Sequence, residues 1–527
     1  MQGFELKNSY DAVIIGSGHN GMVAACYLAN AGLSVLMLEA NEEAGGATRS
    51  KQVFSGLEAR LSVYSYLVSL FPEKIVRDLS LNLELRSRST ASWTPSEQGN
   101  EYRELLIRND DELHNREAFR ELTGNLNDYE GYLRLQEMQS NLAKVVWPSL
   151  TEPLQTREKI EAEVAKLDSA AWKSFVEEPL GVVLENLVQD DLIRGMLFTD
   201  ARIGVSTYPC DPSLIQNRCF LYHVVGFGTG EWRVPVGGME SLTKELHRVA
   251  SDSKNYQILT ASPATRIDPG SERNSVYFEH EGKQYSTQAK HILCNASQQV
   301  LDRLLGKEPD FETCFAGAGF KMNMLLKKLP RLRSKRYDAS EAFAGTVHID
   351  EGYQQMLDSY HESQQHNMPA CPPGEIYCHT LTDPSILSVP LQSEGYHTIT
   401  LFGLDMPYDL FVSDPDSQRK EAATRYLKGI NKYLAEPIQE CLASDADGQP
   451  CVEAMSAFDL EEKIHLPHGN IFHGDLTWPF AENQREVGSW GVETEHDGVL
   501  LCGSAAKRGG AVSGIPGHNA AMAILKA

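Results

Sequence analysis

Residues 11–21 read Asp-Ala-Val-Ile-Ile-Gly-Ser-Gly-His-Asn-Gly, and residues 34–46 read Ser-Val-Leu-Met-Leu-Glu-Ala-Asn-Glu-Glu-Ala-Gly-Gly. An apolar strand (Ala12–Ile15) runs into Gly16, Gly18 and Gly21. An Ala-rich helix follows, and a second apolar strand (Ser34–Leu38) ends in Glu39. Together these make a complete βαβ dinucleotide-binding unit. Gly16 permits the tight turn, Gly18 lets the backbone approach a pyrophosphate, and Gly21 lets helix and strand pack closely. The bare helix N-terminus offers unpaired N–H groups and partial positive charge to phosphates. Glu39, 18 residues past Gly21, is placed to accept hydrogen bonds from a ribose.

An acid at position 39 suits NAD or FAD, so other segments decide between them. Gly45-Gly46-Ala47-Thr48-Arg49 lies just past the second strand, a glycine pair typical of FAD proteins. Near the other end, Gly498-Val-Leu-Leu-Cys-Gly503-Ser504 reads as a short buried strand ending in glycine. Gly509-Gly510-Ala-Val-Ser-Gly514-Ile515-Pro516-Gly517-His-Asn519 then enters an Ala-rich helix, with Pro516 suited to its first turn. A helix N-terminus there is expected to stabilise charge on a reduced flavin. A strand–Gly–helix unit at each end implies that both ends fold into one domain. One non-covalent FAD is expected. Its candidate contacts are Gly16, Gly18, Asn20, Gly21, Glu39, Ala40, Gly46, Ala47, Thr48, Ala264, Asn295, Gly503, Ser504, Gly514, Ile515, Pro516 and Asn519.

The 527 residues suffice for two domains with large cores. Residues 76–235 mix amphipathic helical patterns (Asn125–Ala143, Thr156–Trp172, Pro179–Leu187) with loops. Val236-Gly237-Gly238-Met239 enters an amphipathic helix. Strands are predicted at Gln257–Leu259 and Ser262–Ile267. A hairpin is predicted around Glu281-Gly282, and a buried strand at His291–Ala296 ends where a ligand crevice would be. Further strands are predicted at Ala318–Leu326 and His397–Leu404. The expected fold is α/β: a Rossmann-type FAD domain from 1–75, 236–310 and 456–527. A discontinuous α+β substrate domain from 76–235 and 311–455 is inserted into it.

The 48 Lys and Arg against 72 Asp and Glu give a formal charge of −24, which disfavours nucleic acid and anionic membrane surfaces. Membrane contact is expected to be peripheral at most. The first residues, Met-Gln-Gly-Phe-Glu-Leu-Lys, lack the basic-then-apolar pattern of a secretory signal. Ten cysteines include no Cys-x-x-Cys, so a flavin disulfide reductase is disfavoured and a reducing, cytoplasmic setting is expected. Cys26, Cys294 and Cys502 read as small buried hydrophobes. No metal-ligand spacing stands out. His465, His468 and His473 cluster, but Pro467 and Gly469 interrupt them, and no metal is expected.

Several segments occur in a fixed order: Gly-Ser-Gly-His-Asn-Gly (16–21), Leu-Glu-Ala with Gly-Gly (38–46), Val-Gly-Gly-Met (236–239), Leu-Cys-Asn-Ala (293–296), Gly-Asn-Ile-Phe-His-Gly (469–474) and Leu-Cys-Gly-Ser with the later glycines (501–517). In this the chain resembles the phytoene-desaturase-related flavoproteins. It is most similar to the branch holding the pyridine nucleotide-disulphide oxidoreductase domain-containing protein 2 group and the cyanobacterial β-carotene ketolases. The stretch Arg60–Leu70 resembles that branch as well. Lys507-Arg508 departs from it, since relatives tend to carry His-Pro before the glycine pair in a loop expected near the flavin.

The resemblance implies hydride transfer from a substrate carbon to flavin N5, in a desaturase or an oxidase. The flavin carries the difficult chemistry. Candidates for a base are His223, His473 and Asp475. Trp232, Trp478, Phe480 and Trp490 are candidates for an apolar slot, and Arg60 and Arg233 for anion or flavin contacts. The leading expectation is a hydrophobic, isoprenoid- or carotenoid-like substrate. One alternative is an amine or other polar small molecule, which would favour an aromatic cage and a lysine near flavin N5 that spacing alone does not place. Another is a low-turnover flavoprotein used for binding. Gly317-Ala-Gly319 lacks a third glycine. No separate NAD(P)H site is therefore expected, and electrons would leave to oxygen, a quinone or another protein. Self-association is left open.

Overall fold

The computed structural model describes residues 6–99, 101–311 and 316–527, so Cys314 lies outside the described residues. Two seven-stranded sheets organise the chain. The first is built on Ser9–Ile15, with Val35–Leu38 parallel on one side and Lys283–Cys294 parallel on the other. Tyr256–Leu259 extends it beyond Val35–Leu38, and Val499–Leu501 runs parallel to the end of Lys283–Cys294. All four residues of Val35–Leu38 are buried. A strand covered on both faces reads as a continuous apolar run, which is why the sequence reveals it. The molecule is an α/β protein with a Rossmann-type dinucleotide-binding domain and a second, mixed domain.

The predicted hairpin forms between Asn274–His280 and Lys283–Cys294. Glu281 and Gly282 both have positive φ, +49° and +72°, as a two-residue hairpin turn of the twist-matched kind requires. The predicted strand at 291–296 is the end of that same twelve-residue strand. Helix Asn127–Ser149 runs longer than its predicted core. Thr156 caps Arg157–Trp172 by accepting from the Lys159 N–H at 3.2 Å.

The second sheet has the order Val452–Ser456, Phe320–Leu326, His397–Gly403, Gly374–Tyr377, Thr346–Ile349, Thr90–Gln98, Glu101–Arg108. The hairpin formed by its last two strands was not expected in a segment that reads as helices and loops. Its first strand carries Pro95, and charged residues interrupt both strands, which masks the alternation that marks a strand. Helices Glu112–Thr123, Asn127–Ser149, Leu180–Leu187, Asp191–Phe198 and Ile215–Val224 share one apolar core. No helix among the described residues is long and apolar enough to cross a membrane.

Helix His19–Asn30 and helix Ile515–Leu525 lie against each other. A Cβ at Gly517 would stand 1.9 Å from the Asn20 carbonyl oxygen, and one at Gly514 would stand 2.9 Å from the Phe71 ring. These glycines were expected to face a flavin. The structure instead assigns their missing side chains to helix–helix and helix–ring packing.

Candidate active site

A cavity of about 800 Å3 is lined by residues of both sheets. Its upper wall is the glycine turn. Gly16 has φ +95°, and a Cβ at Gly21 would stand 2.5 Å from the Gly16 carbonyl oxygen, so turn and helix close on each other. Asn295 clamps the turn by donating to the Gly16 carbonyl at 3.1 Å. Gly503 packs against Asn295, where a Cβ would lie 2.9 Å from its backbone. No side chain caps helix His19–Asn30, so its first N–H groups stay available to an anion.

Glu39 is buried on the cavity wall. Its Oε2 accepts from the Ser17 N–H at 2.9 Å and from the Ser17 hydroxyl at 2.6 Å; its Oε1 accepts from the Asn41 N–H at 2.9 Å. The carboxylate thus shapes the glycine turn while presenting lone pairs to the cavity. Glu39→Ala is expected to weaken FAD binding by about 1–3 kcal/mol, the scale of a charge-assisted hydrogen bond lost from a partly buried site. Retention of FAD through dilution and gel filtration by that variant would contradict the ribose contact.

Of the predicted cofactor contacts, Gly16, Gly18, Asn20, Glu39, Ala40, Gly46, Ala47, Ala264, Asn295 and Ser504 line the cavity. Gly21, Thr48, Gly503, Gly514, Ile515, Pro516 and Asn519 do not. The Thr48 hydroxyl donates to the Gly45 carbonyl at 2.8 Å, closing the glycine-pair turn. Asn519 donates to the Leu150 carbonyl at 3.1 Å and ties the last helix to helix Asn127–Ser149. At that end the wall is made by Ala511 and Val512. Lys507 and Arg508 turn away: Lys507 pairs with Glu482 and Glu486, and buried Arg508 donates to the Ser149, Glu152 and Trp490 carbonyls.

Besides Arg88 Nε and Thr199 Oγ1, buried polar atoms on the cavity wall without a hydrogen-bond partner among the described residues are His19 Nε2, Asn20 Oδ1 and His473 Nδ1. Buried polar groups are rarely left so, and a bound dinucleotide would satisfy them. Burial pushes both imidazoles down to about 4, so each is neutral; its one N–H is turned to a backbone carbonyl, that of Ala511 for His19 and Ala296 for His473, and the unpartnered nitrogen is left as an acceptor. The wall therefore fits FAD.

Among the proposed bases, His223 and His473 line the cavity. Asp475 is exposed and does not. His223 stacks on Trp232 at 5.4 Å and its Nδ1 lies 2.8 Å from the Cys219 carbonyl oxygen. Trp232 reaches the cavity, whereas Trp478, Phe480 and Trp490 are core residues. Arg60 pairs with Glu240 and Arg233 with Glu231, both outside the cavity.

Sequence spacing missed the remaining wall. Lys321 sits inside the wholly buried strand Phe320–Leu326, and its Nζ donates to the Ser62 and Tyr64 carbonyls at 2.7 and 2.8 Å. Burial lowers this ammonium to about 7. Tyr66, Tyr377 and Phe402 form an aromatic group beside it, with Tyr66 4.4 Å from Tyr377 and 5.9 Å from Phe402 between ring centroids. A lysine within an apolar strand was the available signal.

The floor is polar. Arg88 donates to the Thr346 hydroxyl at 2.9 Å and leaves its Nε unpartnered among the described residues. Asp200, His348 and Glu375 face the same space. Burial raises the Asp200 and Glu375 carboxyls and lowers His348 to about 3.

Residues 21–446 match the flavin containing amine oxidoreductase family. The chain belongs to that family. FAD is its cofactor, and the protein is an FAD-dependent oxidoreductase. An uncharacterised protein of Mycobacterium tuberculosis (strain H37Rv) is 41% identical over 98% of this chain and 97% of its own length. The mouse pyridine nucleotide-disulfide oxidoreductase domain-containing protein 2 is 26% identical over 99% of this chain and 94% of its own. Among solved structures, cyclohexylamine oxidase from Brevibacterium oxydans superposes with a TM-score of 0.57 at 15% identity, covering 98% of this chain and 99% of that one. At that identity the likeness concerns the fold.

Proposed function

We propose that the protein oxidises a small amphipathic molecule whose polar, nitrogen-bearing end rests on the floor of the cavity. The observation that carries this reading is the floor itself: Arg88, Asp200, His348 and Glu375 face a space otherwise walled by Ile107, Met196, Leu197 and Phe402. A pure hydrocarbon seated there would leave the Arg88 Nε and the Asp200 carboxyl without a polar partner, at a cost of several kcal/mol. That argues against a carotenoid-like substrate and for an amine or related polar molecule. The solved amine oxidase of similar fold is consistent with this.

FAD, when bound, supplies the hydride acceptor. The chain supplies the rest. The Asp200 carboxylate takes no hydrogen bond from the described residues and is placed to accept one from a protonated nitrogen. Tyr66, Tyr377 and Phe402 hold the apolar part and exclude water. Lys321, able to exchange a proton near neutrality, takes the proton that a substrate ammonium must lose before its neighbouring carbon gives up hydride.

Anaerobic mixing with panels of amphipathic amines and of polyene hydrocarbons tests this, with bleaching of the flavin as readout. Amines are expected to bleach it. Bleaching by polyenes alone would overturn the proposal. Asp200→Asn is expected to raise the amine concentration for half-reduction by about 10–100-fold, the equivalent of one charge-assisted hydrogen bond.

A further inference from the structure

We infer that His348, Glu351 and Glu375 form a binding site for one divalent first-row transition-metal ion at the cavity floor. The site goes beyond the proposed oxidation: it shares His348 and Glu375 with the cavity floor but stands on separate observations.

The three side chains each offer one ligand atom, and these atoms all lie within 4.8 Å of one another in a fully buried setting. His348 and Glu375 are directly opposite on neighbouring antiparallel strands, so both project to the same face. Asp350 follows in a left-handed conformation, φ +55°, with its carboxylate held by Lys432 at 2.8 Å and by Tyr433 at 2.8 Å. This bend carries Glu351 back to the pair.

The donor arrangement is that of a metal site. His348 Nδ1 lies 2.7 Å from the Thr94 hydroxyl, leaving Nε2 toward Glu375 Oε1 at 3.8 Å. Ligating histidines commonly engage their second nitrogen in this way, which fixes the ring and its tautomer. The other Glu375 oxygen accepts from the Tyr377 hydroxyl, so the carboxylate is oriented as well. Ligand atoms about 2.1 Å from a tetrahedral ion stand about 3.4 Å apart, so an ion would draw these atoms, now within 4.8 Å of one another, closer together.

The second observation is Glu351. It is 1% exposed, and both of its carboxylate oxygens lack any hydrogen-bond partner among the described residues. The neighbouring Thr199 hydroxyl approaches this carboxylate without making a well-formed hydrogen bond to it. Two adjacent buried carboxylates, with no ion pair between either and Arg or Lys among the described residues, make an expensive arrangement. The nearby buried Arg202 is committed to Asp405. A divalent cation offsets both carboxylates and takes the neutral imidazole, and this nitrogen–oxygen set suits zinc, manganese or iron rather than magnesium or calcium. His348 and Glu375 border the cavity, which gives an ion its way in. The sequence found no ligand spacing because the three residues come from two strands and the turn after one of them.

The test uses the full-length FAD-loaded protein, purified without chelator, with metal content measured by plasma mass spectrometry. One ion per chain is expected. After dialysis against chelator, titration with Zn2+ alone or Mn2+ alone should saturate at one per chain. Glu351→Gln should lower that affinity by at least about 100-fold, more than loss of an outer partner costs, with flavin absorbance and melting temperature retained. His348→Gln serves if Glu351→Gln does not fold. Absence of both co-purified metal and saturable binding would overturn the site, as would unchanged affinity in the variant. The competing arrangement, two carboxyls sharing a proton, predicts an un-ionised carboxyl stretch in the infrared that persists with Zn2+ present; seeing it would also overturn the site. Bleaching by amines in metal-free protein would leave the proposed oxidation intact, so the two failures are distinguishable.

Discussion

Gly517→Val is expected to abolish FAD loading and to lower the melting temperature by roughly 8–16 °C, the equivalent of about 4 kcal/mol or more. The new Cβ would stand 1.9 Å from the Asn20 carbonyl oxygen, 2.8 Å from its carbon and 3.2 Å from the Ala24 nitrogen. All three are backbone atoms of the helix that follows the glycine turn, so no side chain can swing aside. Either the helices part or the turn deforms. Because Cβ itself makes the clash, Gly517→Ala should cost nearly as much as valine. A role in contacting flavin would instead grade the effect with side-chain size and shift the reduction potential. Thermal melts and released-flavin assays on both variants separate these outcomes; native stability with a shifted potential would refute helix packing as the reason for glycine.

Lys321→Met is the second large effect. The substitution keeps an unbranched apolar stem and removes the amine. Flavin reduction by substrate is expected to slow by roughly 10²–10⁴-fold, the range for a lost general base, with FAD still bound. In the native protein the rate should rise with pH through an inflection near 7, where the buried ammonium loses its proton. The variant should show no such inflection, and stopped-flow reduction across pH measures it. Stability supplies an independent check. Burial depresses this group in the folded chain from 10.5 to about 7. Between those values the unfolded chain binds more protons, so native stability should rise with pH over that window relative to Lys321→Met. Parallel denaturation curves at pH 7 and pH 10 would contradict the assignment.

The part of the site nearest the glycine turn was legible because it follows from local rules. Gly16 needs positive φ, Gly21 needs close approach, and Glu39 ends a wholly buried strand. Asn295 was found because a strand end in such a sheet faces the ligand crevice. At Gly514 and Gly517 the need for glycine was visible but the partner was not, since Phe71 and Asn20 lie hundreds of residues away in sequence. The floor escaped notice for a related reason. Arg88, Asp200, His348 and Glu375 are scattered over nearly 300 residues of the chain, and only the second sheet and the helices on it gather them. Lys321 did leave a trace, since a lysine amid Phe, Met and Leu interrupts an apolar run. That trace shows burial without showing what the amine faces.

The lock between Asn20 and Gly517 has a consequence for how the protein is made. The residues that shape the cofactor's phosphate turn leave the ribosome nearly 500 residues before the helix that braces them. Until residues 499–525 emerge, the central sheet lacks the strand Val499–Leu501 and the first helix lacks the face it packs on. A nascent chain therefore exposes an apolar, Ala-rich helix for most of its synthesis. Closure of the cofactor site thus waits on a segment made nearly 500 residues after the turn it braces.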